Sequence, residues 1–232
     1  MLNLLKKDIP TIEDSYTAWI DFALKWAELS ALMHNANSDA RKSQFCEMGL
    51  ELNKTFAVWL SENYSNLINL PPTNPAMLHH IARRIARDME KSGNNLAAMI
   101  VVDGLAMDQW VSIRQILQDN DSSLLIRESA VFAWIPTLTS VSRQSIFSGK
   151  APYYFPSSIS TTNNEEKLWK QFWEGNNLSR LNIAYARGLN DGNVEKIMDS
   201  IIHPGKTKAV GLVVDKVDKI MHGMQLGSPG MH

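Results

Sequence analysis

The feature that most constrains the fold is a change of pattern near residue 93. From residue 96 the chain reads LAAMIVVDG, a short unbroken apolar run that stops at an acid and a glycine. A strand with one wet face alternates apolar and polar residues. A run that is apolar at every position must instead be buried on both faces, as a strand inside a parallel sheet is. The same form recurs in ESAVFAWIP (128–136), RLNIAYARG (180–188) and KAVGLVVDKVD (208–218). Helical stretches lie between these runs, at MDQWVSIRQIL, EEKLWKQFWEG and VEKIMDSII. Alternation of this kind predicts an α/β fold over residues 94–232, a mostly parallel sheet with helices on both faces.

Before the change the grammar is helical. In TAWIDFALKWAELSALM the residues Trp19, Phe22, Ala23, Trp26, Leu29 and Met33 recur at three- and four-residue steps and line one face. A second helix is predicted from Ser38, with Phe45, Leu52, Phe56, Trp59 and Leu60 on its apolar side. A third is predicted to open at Asn74-Pro75 and run through HHIARRIARDMEK. Residues 1–93 thus read as an all-helical N-terminal module. Its Arg83, Arg84 and Arg87 form a solvated basic face, and the adjacent His79 and His80 are expected at the surface. Trp19, Trp26 and Trp59 either fill the core between helices or anchor a partner protein.

A formal net charge of -1 and a sequence pI near 6.6 supply no global basic field for bulk nucleic-acid binding. The single cysteine, Cys46, excludes an internal disulfide framework, fits a reducing compartment and is expected as a small core residue. The opening MLNLLKKDIPTIED has neither the apolar core nor the cleavage site of a secretory signal. No stretch approaches the roughly twenty apolar residues of a membrane span. The expectation is a soluble, cytoplasmic protein with no membrane partner.

In open parallel sheets the chemistry gathers at the carboxyl ends of the strands. Here those ends carry Asp103 after the first run, Thr139 after the second, and Asp215, Asp218 and His222 after the last. Asp218 and His222 stand four residues apart, so on a helix they share a face and can hold one divalent metal. IPTLTSVSRQSIFSG (135–149) has two readings. Its hydroxyls can cap a helix that Gly149 closes in the left-handed conformation. Alternatively one of them is a nucleophile at a helix end that favours anions.

Taken together, VVDGLAMDQW, IPTLTSVSRQSIFSG and VVDKVDKIMHG resemble the alkaline phosphatase superfamily, and within it the PglZ domain of bacterial BREX phage-defence systems. The resemblance covers residues 97–223. It implies a metal-dependent phosphohydrolase in which two divalent ions, typically zinc, hold the phosphate group. It assigns Thr139 as nucleophile, ten residues before Gly149, Asp103 as a ligand of one metal, and Asp218 and His222 as ligands of the other. Asp215 is the runner-up ligand, and Arg143, one turn beyond Thr139, is assigned to a phosphate oxygen. The partners implied are a phosphoester substrate, with nucleic acid among the candidates, and other BREX proteins docking on the helical module. A non-catalytic docking role for the chain is the alternative. The superfamily's later Asp-His and His ligands do not follow His222, so this stretch is expected to be the front part of such a domain. As such it should bind metal weakly or not at all and hydrolyse phosphoesters near background.

Overall fold

The computed structural model describes residues 2–34, 36, 38–93, 96–189 and 193–222. Along the chain run α1 (Leu2–Leu5), α2 (Tyr16–His34), α3 (Asp39–Leu67), α4 (His80–Ser92), β1 (Ala97–Val102), α5 (Met107–Asn120), α6 (Thr139–Ser148), α7 (Glu165–Glu174), β2 (Ile183–Leu189), α8 (Val194–Ile201), β3 (Ala209–Val214) and α9 (Lys216–His222). They sort into two compact units that interleave along the sequence. One comprises the residues up to Asn69 with Leu105–Val131, and the other Leu70–Gly104 with the chain from Phe132 onward.

The first unit is helical, and aromatic side chains fill it. Trp19 lies 5.0 Å from Phe56 and 5.6 Å from Trp59 between ring centroids, and Trp26 stacks on Phe45 at 4.6 Å. Trp19 and Trp59 are buried, and the Trp59 indole N–H donates to the Asp14 carbonyl at 2.7 Å. These two tryptophans therefore belong to the core, which removes the observation that suggested them as docking anchors. Helix α5 is fastened to α2 by Arg114, whose Nη2 donates to Glu28 at 2.5 Å and whose Nη1 donates to Glu128 at 2.6 Å. Cys46 is exposed, not in the core as expected, because it lies off the buried stripe that Met48, Leu52 and Trp59 mark on α3.

The second unit is the α/β part. Its sheet has the order β1-β3-β2 with both pairings parallel, running from Ala97↔Ala209 to Val102↔Val214 and from Ile183↔Ala209 to Leu189↔Val214. The continuous apolar run suits the central strand β3, which meets helices on two sides, whereas β1 departs from the expected two-sided burial: Met99 is buried, but Ala98 and Ile100 on its other face are exposed. On one face Met99, Ile183, Ala209 and Val213 pack with Phe147 of α6 and Trp169 and Trp173 of α7, while Ile81, Ile85 and Met89 of α4 lie against the same cluster. On the other face Ala184, Val210 and Leu212 pack with Ile197, Met198 and Ile201 of α8. The central strand carries Gly211 where Trp169 crosses it: a Cβ there would stand 3.0 Å from the indole. That space lets the Trp169 N–H reach the Ala184 carbonyl at 3.0 Å.

Three local expectations are corrected. Residues 128–136 do not form a strand; the segment makes one isolated parallel bridge, Met77↔Phe132, with the Phe132 N–H on the Ala76 carbonyl at 2.8 Å. Pro136 cannot donate to a ladder, and Phe132 pairs with Met77 outside the sheet. The third helix opens at His80, not at Asn74-Pro75, because residues 76 and 77 are engaged elsewhere: their N–H groups donate to His80 Nδ1 at 3.2 Å, and Met77 carries the bridge. For the same reason His79 and His80 are buried and not at the surface; the His79 ring lies 5.3 Å from that of Trp134.

Candidate active site at the carboxyl edge of the sheet

Strands β1 and β3 end side by side. Beyond the paired Val102 and Val214, the Asp103 N–H continues the ladder to the Val214 carbonyl at 2.9 Å. Asp103 and Asp215 therefore leave the sheet together. Gly104 follows with φ at +75°, a region an L side chain rarely adopts. It is also crowded: a Cβ would lie 3.1 Å from the Asp218 Cα and 3.2 Å from its N. Glycine at 104 thus lets the first turn of α9 settle on the Asp103 loop, which brings Asp218 to the end of β1. On α9 the spacing acts as expected, with His222 Nε2 3.5 Å from Asp218 Oδ1.

Thr139 is the first residue of α6, not the end of a strand. The first intrahelical bond runs from the Ser142 N–H to the Leu138 carbonyl, so the N–H groups of Thr139, Ser140 and Val141 have no acceptor within the helix. The capping reading of the hydroxyls fails here. The N-cap position is Leu138, no side chain caps the helix, and Ser140 donates to the Ile159 carbonyl at 2.7 Å. Thr139 is exposed, and its hydroxyl makes no hydrogen bond to a described residue. Gly149 closes the helix at φ +61°, as the sequence suggested.

One turn along, Arg143 is buried and ties this helix to the strand end. Its Nη1 donates to Asp103 Oδ2 at 3.0 Å and its Nη2 to Glu165 Oε2 at 2.5 Å; Tyr185 on β2 donates its hydroxyl to that same oxygen at 2.7 Å. Desolvation opposes the Arg143 charge, but the bonds to Glu165 and Asp103 outweigh it and raise the pKa above the ordinary arginine value. For Glu165, which is wholly buried, desolvation wins: its pKa lies above the usual 4.5, although Arg143 and Tyr185 pull it down. Burial, then the bond to Glu165, pushes the Tyr185 phenol well up. Sequence reading missed both Glu165 and Tyr185. An acid in the first turn of a helix is so common that Glu165 carries no signal of its own.

These residues are of the right types for a divalent cation but do not close around one. Asp103, Asp218 and His222 are hard or borderline donors gathered at one edge. Asp215 adds a buried Oδ1 that accepts no hydrogen bond, its Oδ2 being held by Lys219 at 2.7 Å. Among the described residues no three His, Cys, Asp or Glu side chains converge tightly enough to hold an ion by themselves.

The family model for the BREX system PglZ alkaline phosphatase-like domain matches residues 81–229, more than half of the chain. The chain belongs to the PglZ family. No curated relative matches the sequence. The PglZ match spans the sheet, α6 and α9, so every residue gathered at the carboxyl edge falls within it. Among the described residues, no helix of this PglZ chain is long and apolar enough to cross a membrane.

Proposed function

We propose that the protein carrying this chain is a metal-dependent phosphohydrolase with Thr139 as its nucleophile and Asp103, Asp218 and His222 as metal ligands, zinc being the expected ion. The observation that carries this reading is the placement of Thr139. Its exposed, unpartnered hydroxyl opens a helix whose first N–H groups are free, and that same helix is bonded through Arg143 to Asp103.

The parts divide the work. The free N–H groups of Thr139, Ser140 and Val141, with the positive end of the α6 dipole, suit the equatorial oxygens of a phosphoryl group. The Thr139 oxygen, its proton lost to solvent, attacks phosphorus as the bond to the ester oxygen breaks; the alcohol leaves with a proton from solvent, and water then cleaves the phosphothreonine and restores the hydroxyl. A threonine hydroxyl is a weak nucleophile at neutral pH, and bound divalent ions would supply the Lewis acidity that stabilises its alkoxide and the leaving oxygen. Asp103, Asp218 and His222 would hold those ions, and Arg143 keeps the nucleophile's helix against Asp103. Family membership also motivates proposing other BREX proteins as partners and nucleic acid as one candidate phosphodiester.

The test is hydrolysis of bis-p-nitrophenyl phosphate and of p-nitrophenyl phosphate with and without added Zn²⁺. Turnover should depend on the metal, and Thr139→Ala should lower it by roughly 1,000-fold or more. Which of the two esters turns over faster separates a diesterase from a monoesterase. Metal-dependent turnover that survives in Thr139→Ala would rule the nucleophile out.

A further inference from the structure

We propose that Glu165 and Tyr185 are positioning residues that fix Arg143 against Asp103, and through it leave one Asp103 oxygen free for a cation. This rests on the reading of Asp103 as a metal ligand, and it gives Arg143 a different task from holding phosphate.

A guanidinium has five N–H donors in a rigid fork. Here one N–H of each terminal amino group is engaged, Nη1 with Asp103 Oδ2 and Nη2 with Glu165 Oε2, while Nε is buried without a partner. The side chain is 9% exposed. With its charge shared between two carboxylates, Arg143 has little left to attract an anion. What it does control is Asp103, whose Oδ1 accepts no bond from a described residue while Oδ2 is fixed. A carboxylate held by one oxygen presents the other in a defined direction, which is how groups behind a metal ligand orient it.

Glu165 makes that arrangement hold. It is 0% exposed, an expensive place for a carboxylate, and its Oε2 takes donors from both Arg143 and Tyr185. Sharing the guanidinium charge with Glu165 keeps Arg143 from neutralising Asp103 completely. Glu165→Gln leaves the shape in place but adds one positive charge to the cluster and throws the guanidinium wholly onto Asp103. Both effects act against a cation. Tyr185→Phe changes no charge and removes only the hydroxyl that orients Glu165, so its effect should be smaller.

Calorimetric titration of the intact protein with Zn²⁺ tests this. Glu165→Gln should bind about 10- to 100-fold more weakly than wild type, and Tyr185→Phe severalfold more weakly. Thermal unfolding run in parallel separates positioning from general damage, because positioning lowers affinity in a protein that still unfolds cooperatively. Tyr185→Phe decides alone if the glutamine variant does not fold. Wild-type affinity in the variants that fold would overturn the positioning role and leave the phosphohydrolase reading standing. A wild-type protein that takes up no Zn²⁺ would overturn that reading, and the positioning role with it.

Discussion

The two units each contain an arginine forked between two carboxylates, and the contrast between them is instructive. In the helical unit Arg114 bridges Glu28 and Glu128 with side-chain exposures of 20%, 40% and 25%. In the α/β unit Arg143 bridges Asp103 and Glu165 with exposures of 9%, 13% and 1%. Bond lengths do not tell the forks apart, since each has a contact at 2.5 Å. Water does. The half-exposed fork is better screened and contributes less, whereas the buried one holds charges that would be costly if left unpaired. A cluster of that kind is a poor way to gain stability, and active sites are where such clusters concentrate.

The largest effect separating the forks should come from Arg143→Ala, which strands Glu165 in the interior. Urea unfolding should show a loss of about 3–5 kcal/mol, and a loss below about 1 kcal/mol would erase the contrast. Next is Gly211→Ala, which disturbs the same unit with no change of charge. A Cβ 3.0 Å from Trp169 forces repacking, with an expected cost of about 1–3 kcal/mol. Its size relative to Arg143→Ala separates buried charge from mere tightness.

A smaller effect should appear in the pH dependence of the buried fork. Burial raises the Glu165 pKa above 4.5, so the fold favours the protonated carboxyl. The stability this contributes is fully present below the unfolded value and is lost as pH rises through the folded one. Wild type should therefore lose ground relative to Glu165→Gln as the pH is raised from about 4 to 7. A gain over that range would mean that Arg143 outweighs desolvation. The smallest effect belongs to Arg114→Ala, at about 0–1 kcal/mol and shrinking further in high salt. A larger, salt-independent cost would show that the exposed fork is not screened.

Some of this was legible in the sequence. β3 announced itself because a run apolar at every position suits a strand buried on both faces; β1 was found by the same pattern although its outer face at Ile100 is exposed, and the acidic ends of both pointed to one edge. The segment 128–136 looked alike and misled, since Pro136 lacks a donor and Phe132 pairs with Met77 instead of with a strand of the sheet, and the choice of pairing partner is a tertiary property. The spacing of Asp218 and His222 was readable because a helix converts four residues into one face. The contact of Gly104 with the Asp218 backbone was not, because the meeting of residues so far apart in the chain depends on strand order. Glu165 and Tyr185 were invisible for a similar reason. Each is ordinary in its own element, and their meaning comes only from Arg143 standing between α7 and β1.

The central claim is that the ends of β1 and β3 and the opening of α6 form one cation-assisted site. Anomalous diffraction at the zinc edge, from crystals of the intact protein grown with Zn²⁺, tests it most directly. The account predicts zinc peaks at Asp218 and His222 and at Asp103, with the Thr139 hydroxyl facing them. Zinc bound only elsewhere, with Asp103 still closed on Arg143 and Thr139 facing away, would contradict it.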